Sequence, residues 1–226
     1  MRAWVSLLFW FFICCSIAWA SPEIHINIPS YQLQLIENDK TIKEYQVAVG
    51  TPYEQTPVGS FRIVYKEENP TWIPGNNFTD HTPIPPGPDN PLGTRWLEFK
   101  TGYGIHGTNK GWDISYPVSG GCIRMQDADV REIYEFVDIG TPVLITYDTM
   151  LMIEKADGLY LRLLPDIYDR NTNTVENLLQ LYQPYSNKYP DFKLPQSIAF
   201  PAKTTIEVKI ALPVKPLSDS VQPPGK

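Results

Sequence analysis

Apolar and polar residues alternate from Glu23 onward. Ile24, Ile26 and Ile28 fall on one face, and Leu33 and Leu35 continue the pattern between Tyr31 and Ile36. A period of two puts such residues on one side of a strand. Asn38-Asp39 is a turn signal and Glu44 to Val49 resumes the alternation, which predicts a hairpin-rich start. Gly50-Thr51-Pro52 and Thr56-Pro57-Val58-Gly59 predict turns, after which Phe61, Ile63 and Tyr65 align again. Trp96 to Phe99 reads as a short strand, Gly102 to Gly107 as the approach to a site, and Pro142 to Tyr147 as a closing strand. The clearest helix covers Asp127 to Val137. Val130, Ile133, Phe136 and Val137 share a face, Asp127 can cap the start, and Gly140 follows the end. These elements predict a mostly β domain over 23–148.

The stretch 69–93 breaks the alternation. Asn69-Pro70-Thr71-Trp72-Ile73-Pro74 and Pro83-Ile84-Pro85-Pro86-Gly87-Pro88 suit neither a central strand nor a helix. With Trp72 and Phe78 inside it, this long loop reads as a lid or groove wall. Beyond Asp148, Leu151 to Glu154 and Leu159 to Leu164 flank Ala156-Asp157-Gly158 as a second hairpin. Asn173 to Tyr182 can form a short helix with Leu178, Leu181 and Tyr182 inward. Residues 149–200 thus form a small hairpin-helix extension, and 201–226 are expected to be a mobile, proline-rich tail.

Proline is 22 of 226 residues, nearly twice the ordinary frequency, in keeping with many loops and few long helices. The net charge is −6, and the absence of basic runs argues against a nucleic-acid partner. Residues 1–20 read as an export signal: Met1-Arg2-Ala3-Trp4 is a positive start, Val5 to Ile17 is apolar apart from Ser6 and Ser16, and Ala18-Trp19-Ala20 fits small-x-small cleavage. The apolar stretch is shorter than the ~20 residues of a spanning helix, so no stable membrane span is expected after cleavage. Of the three cysteines, Cys14 and Cys15 lie in that signal, leaving Cys122. One cysteine forms no intramolecular disulfide and no thiolate metal cluster, and neither a metal nor a cofactor is implied.

The chemistry concentrates in Ile105-His106-Gly107-Thr108 and Ser119-Gly120-Gly121-Cys122-Ile123-Arg124-Met125. A lone cysteine is ordinarily a small buried hydrophobe. Here the exported compartment is oxidising, two glycines precede the thiol, and a histidine lies upstream at the end of a predicted strand. A free thiol is only slightly ionised near neutrality, with a pKa of ~8.5, so it needs an imidazole to take its proton. The glycine turn can aim backbone N–H groups at an oxyanion. His25, on the face opposite the isoleucines, reads as a surface residue, and His81 as a solvated loop residue. That leaves His106 as base. If a strand follows the turn, Arg124 shares a side with Cys122. Its guanidinium suits a substrate carboxylate or a structural ion pair with a residue such as Asp127. Ser119 can orient the turn through its hydroxyl or face substrate. Trp72 is either a substrate wall or core.

These motifs, with Pro70-Thr71-Trp72, Pro85-Pro86-Gly87-Pro88, Asn90-Pro91-Leu92-Gly93 and Gly140-Thr141-Pro142-Val143, resemble the L,D-transpeptidase catalytic domain, the YkuD-like family of the ErfK/YbiS/YcfS/YnhG type. The resemblance covers 23–148. It implies a β-sandwich or barrel with one or two short helices, with Cys122 as nucleophile, His106 as general acid/base and the Gly107 carbonyl orienting His106. The Gly121 amide, with that of Cys122, would serve the oxyanion. Arg124, Ser119 and Trp72 would meet substrate. Many members carry histidine where this chain has Gly120, so any imidazole contribution there is absent. No separate peptidoglycan-binding module is visible.

The implied reaction is acyl transfer on peptidoglycan stem peptides through a Cys122 thioester, in the periplasm or cell envelope. The acceptor would be a second stem, giving 3→3 cross-links, or the lysine of a wall-anchored lipoprotein. With water as acceptor the same fold would be a carboxypeptidase or hydrolase. An inactive wall-binding protein is the reading from another class, disfavoured by the presence of both His106 and Cys122. A papain-like peptidase is disfavoured because there the cysteine precedes the histidine.

Overall fold

A computed structural model describes residues 21–75, 78–193 and 204–212 of the chain. The expected export signal lies outside the described residues. The main domain is built on ten strands: β1 (Glu23–Asn27), β2 (Gln32–Glu37), β3 (Lys40–Gly50), β4 (Gly59–Arg62), β5 (Tyr65–Glu68), β6 (Arg95–Lys100), β7 (Tyr103–His106), β8 (Pro117–Ser119), β9 (Ile123–Met125) and β10 (Pro142–Thr146). They form one sheet in the order β4-β10-β1-β2-β3-β9-β7-β6-β5, with β8 paired beside β3.

The alternation explains the central strands. Ile24, Ile26, Ile28, Leu33 and Leu35 are all fully buried. Each such side chain contributes about 1.5–3 kcal/mol on leaving water. Asn38 and Asp39 both take positive φ, 51° and 59°, and join β2 to β3 with the twist a tight hairpin needs. The sheet curls on itself. Phe61 in β4 and Phe99 in β6, far apart in strand order, bring their rings to 5.3 Å inside one core.

Helix α1 (Asp127–Phe136) packs on β6 and β7 through Val130 and Ile133. Two expectations for it are corrected. Gln126 is the N-cap, and Asp127 instead accepts from the Thr94 amide and hydroxyl, at 2.7 and 3.0 Å, tying the helix start to the strand before the site. Phe136 is exposed, while Val137 just past the helix end is buried. Tyr65 likewise departs from its alignment with Ile63 and lies exposed, because the chain breaks strand at Ile63-Val64 and starts a new one.

A second, smaller sheet follows. β11 (Met150–Lys155) and β12 (Gly158–Leu163) form the expected hairpin, and α2 (Val175–Tyr182) starts after Thr174, whose hydroxyl accepts from the Asn177 amide at 3.1 Å. The expectation of a mobile tail from residue 201 is corrected in part: β13 (Ile206–Ala211) pairs antiparallel with β12. Ile210 and Ala211 enter a second core with Leu159, Leu161, Leu163, Leu178 and Tyr182. Residues 213–226 lie outside the described residues.

Candidate active site

β7 and β9 run side by side and parallel, with Ile105 opposite Ile123 and His106 opposite Arg124. Both isoleucines are fully buried in the core. By strand alternation His106, Arg124 and Cys122 face the other way, together. They do so along a groove of about 890 Å³, whose far wall is the 69–93 loop through Trp72, Ile73, Phe78 and Leu92. That loop is the groove wall that its composition predicts. It is held from inside by Asn90, fully buried, whose amide donates to the carbonyls of Pro70, Ile84 and Pro85 at 2.7–3.2 Å. Trp72 is half-buried, edge-on to Phe78 at 5.1 Å, and lines the groove.

His106 is only 4% exposed. Its Nδ1 lies 2.6 Å from the Gly107 carbonyl. A carbonyl only accepts, so Nδ1 carries the proton and Nε2 keeps its lone pair for an incoming proton. Trp96 stacks beside the imidazole, with ring centroids 5.8 Å apart. The indole can lie there because Gly104 leaves room: a Cβ at that position would meet the ring at 2.6 Å. Burial, with the Arg124 charge, lowers the imidazole pKa to about 4, against the opposing pull of the Gly107 carbonyl. His106 is therefore a neutral base at ordinary pH.

Cys122 is half-buried, its thiol directed at the Gly102 carbonyl at 3.8 Å. Burial raises its pKa, while the Gly104 amide and Arg124 pull the other way. Thiol and imidazole are both neutral on the same groove near neutral pH, so a thiolate formed by proton transfer to His106 would need no prior ionisation. Acylation of Cys122 by a β-lactam should then hold steady from pH 8 down to about pH 5, declining only as His106 protonates. Arg124→Gln removes the cationic neighbour, so the imidazole protonates more easily and the acid limb should move to higher pH. A limb at the ordinary imidazole value in the unmodified chain, or one unmoved by Arg124→Gln, would contradict this electrostatic picture.

The turn before Cys122 is shaped by the Ser119 hydroxyl, one of the two parts its sequence position allows. Ser119 is buried, accepting from the Gly121 amide at 3.1 Å and donating to the Cys122 carbonyl at 2.6 Å. Its hydroxyl shapes the turn, and the residue also lines the groove. The bond to Ser119 engages the Gly121 N–H inside the turn. The Cys122 amide is the turn's other donor. Gly121 has φ +101°, and a Cβ there would meet the Tyr103 ring at 2.6 Å, whereas one at Gly120 would meet only Glu54, at 3.5 Å. Strain of this kind costs roughly 1–3 kcal/mol. Gly121→Ala should therefore slow Cys122 acylation about tenfold or more, while Gly120→Ala stays within about threefold; the reverse order would contradict the geometry.

Arg124 makes the structural ion pair anticipated as one alternative, but with Asp113 rather than Asp127. Asp113 sits in the 111–113 turn, far from obvious pairing in sequence. The pair is incomplete: Arg124 Nε and Asp113 Oδ1 are both buried without a partner. His25 is near the surface and bonded to Glu23, and His81 is exposed. Among the described residues no group of three or more His, Cys, Asp or Glu side chains could hold a metal, and no helix is long and apolar enough to cross a membrane.

Residues 21–145 match the YkuD family profile, described as the L,D-transpeptidase catalytic domain. YqjB of Bacillus subtilis, assigned as an L,D-transpeptidase, is 38% identical over 142 residues, covering 60% of this chain and 77% of that protein. ErfK/SrfK of Escherichia coli, similarly assigned, is 26% identical over 198 residues, covering 83% of this chain and 58% of that protein. A match of that span reaches past Asp148 into the C-terminal extension. A crystal structure of an Enterococcus faecium L,D-transpeptidase C442S mutant aligns at TM-score 0.46 and 26% identity, over 55% of this chain and 49% of that one.

Proposed function

The chain belongs to the YkuD family of L,D-transpeptidase catalytic domains, and on that premise we propose that it is an exported acyltransferase working on peptidoglycan stem peptides through a Cys122 thioester. The observation that carries this reading is that Cys122, immediately before β9, and a neutral, carbonyl-oriented His106, at the end of the neighbouring parallel strand β7, line one groove. The apolar leader over 5–17 supports delivery to the periplasm or cell envelope.

The reaction follows from the atoms available. As Cys122 Sγ attacks the carbonyl of the third residue of a tetrapeptide stem, its proton passes to His106 Nε2. The Cys122 amide donates to the developing oxyanion. The intermediate collapses with cleavage of the C–N bond to the terminal D-alanine, and His106 returns its proton to the leaving amine. An acceptor amine then gives a proton to His106 and attacks the thioester. Sulfur leaves and regains its proton. Gly107, by holding Nδ1–H, keeps Nε2 in the accepting tautomer throughout both halves. Arg124 lies along the same groove, and its guanidinium suits a stem carboxylate, with Asp113 fixing the fork. Trp72 forms the opposite wall.

The acceptor is an amine of a second stem, giving a 3→3 cross-link, with a lysine of a wall-anchored lipoprotein as the other amine this chemistry serves. Mass spectrometry of products from disaccharide-tetrapeptide tests this. A dimer lacking one D-alanine is expected. Tripeptide as sole product would make water the acceptor and overturn the transferase assignment.

A further inference from the structure

The C-terminal extension reaches the loop that packs on the catalytic turn through a phenol, Tyr168, with Arg170 beside it. Tyr168 lies between β12 and α2, yet it is 6% exposed and belongs to the core of the main domain. Its ring stacks on Tyr147 at 5.2 Å, 19° from parallel. Asp166 fixes the arm that carries it, accepting from the Tyr147 hydroxyl at 2.6 Å and from the Arg170 and Thr172 amides at 3.0 and 3.3 Å. The Tyr147 oxygen in turn accepts from the Tyr168 amide at 2.7 Å.

The Tyr168 hydroxyl closes the base of the loop after β3. It donates to the Gly50 carbonyl at 2.8 Å and accepts from the Thr56 amide at 3.3 Å. The Gly50 amide donates to Thr56 Oγ1 at 2.9 Å, and Arg170 donates to Gln55 Oε1 at 2.6 Å. This loop stands directly on the turn that precedes Cys122. The Thr51 amide donates to the Ser119 carbonyl at 3.0 Å. A Cβ at Gly50 would come within 2.9 Å of Gly121 Cα, and one at Gly121 within 3.2 Å of the Gln55 carbonyl. Backbone therefore packs on backbone with no side chain between, and a shift of the loop is passed to the turn.

We infer that Tyr168 is a positioning residue: through the 50–56 loop it holds the Ser119–Cys122 turn, making the C-terminal extension part of the catalytic machinery. The inference rests on the acyl-transfer reading above. Tyr168→Phe keeps the ring and removes only the hydroxyl, leaving the Gly50 carbonyl and Thr56 amide without that partner. The test compares two reagents on Cys122 at a temperature where circular dichroism shows the variant folded. Imipenem acylates through a tetrahedral oxyanion and needs the turn; iodoacetamide alkylates the thiol and forms no oxyanion.

Imipenem acylation should slow about 10- to 100-fold in Tyr168→Phe, while iodoacetamide alkylation stays within about twofold. Arg170→Ala, which loses the exposed bond to Gln55, should show the same selectivity at smaller size, and it decides the matter if Tyr168→Phe fails to fold. Acylation at the unmodified rate in folded variants, or equal slowing of both reagents, would overturn the inference. If the unmodified chain is alkylated but never acylated, the acyl-transfer reading itself has failed.

Discussion

Exchanging Cys122 for alanine is expected to reduce D-alanine release from a tetrapeptide stem by about 10⁴-fold or more and to abolish covalent labelling by imipenem. The size follows from what is removed. On the proposed mechanism His106 takes its proton from the attacking group, and the thiol immediately before β9 lines the same groove. Water could occupy the vacated volume, but it would stand unpositioned, and the turn built by Ser119 and Gly121 would have no sulfur to present. Folding should be little affected, since a half-buried thiol is exchanged for a methyl group among the same neighbours. A measured Tm within a few degrees of the unmodified chain, with activity gone, is the expected pair of results. Retained D-alanine release would mean that another group is the nucleophile.

The second large effect is expected at His106. Replacing it by glutamine should slow acylation about 10²- to 10⁴-fold, the usual range for a positioned acid–base group. The pH dependence makes this more than a loss. In the unmodified chain a base that protonates only near pH 4 should leave the rate level through neutrality. Without the imidazole, the thiol must ionise by itself, and burial holds its pKa above the ordinary value. The rate of His106→Gln should therefore climb with pH through and beyond the normal thiol range, narrowing the gap to the unmodified enzyme at high pH. A flat, uniformly depressed profile would indicate that His106 only shapes the site.

Much of the site is legible in local sequence because its geometry is local. A strand ending in His106-Gly107 places the carbonyl that orients the ring one residue away. Gly120-Gly121 announces a turn, whose second position leaves no room for a side chain, and alternation past Cys122 puts Arg124 on the thiol's side. Ile24, Ile26 and Ile28 likewise declare the core by spacing alone. What sequence reading missed is set by contacts across the fold. Asp113 neutralises Arg124 only because the 111–113 turn is carried over β9, whereas Asp127, nearer in sequence, is drawn to Thr94. The Ser119 hydroxyl, by contrast, shapes the turn through a contact only two residues long, within reach of local reading.

The extension shows the same division. Ile206, Val208 and Ile210 alternate with Glu207 and Lys209, so β13 carried a strand signal that the surrounding prolines outweighed. Its partner β12 supplied the missing argument, an open edge with apolar side chains to cover. Tyr168 gave no signal at all. An aromatic residue in an Asp-Ile-Tyr-Asp segment reads as surface loop until Tyr147 and Gly50 are brought beside it.

The central claim is that Cys122 carries the acyl group between donor and acceptor. It is tested most directly by quenching a reaction with disaccharide-tetrapeptide in acid and mapping the protein by mass spectrometry. The account predicts a disaccharide-tripeptide joined to Cys122 as a thioester, with one D-alanine released for each adduct formed. D-alanine release without an adduct on Cys122, or equal release by Cys122→Ala, would contradict it.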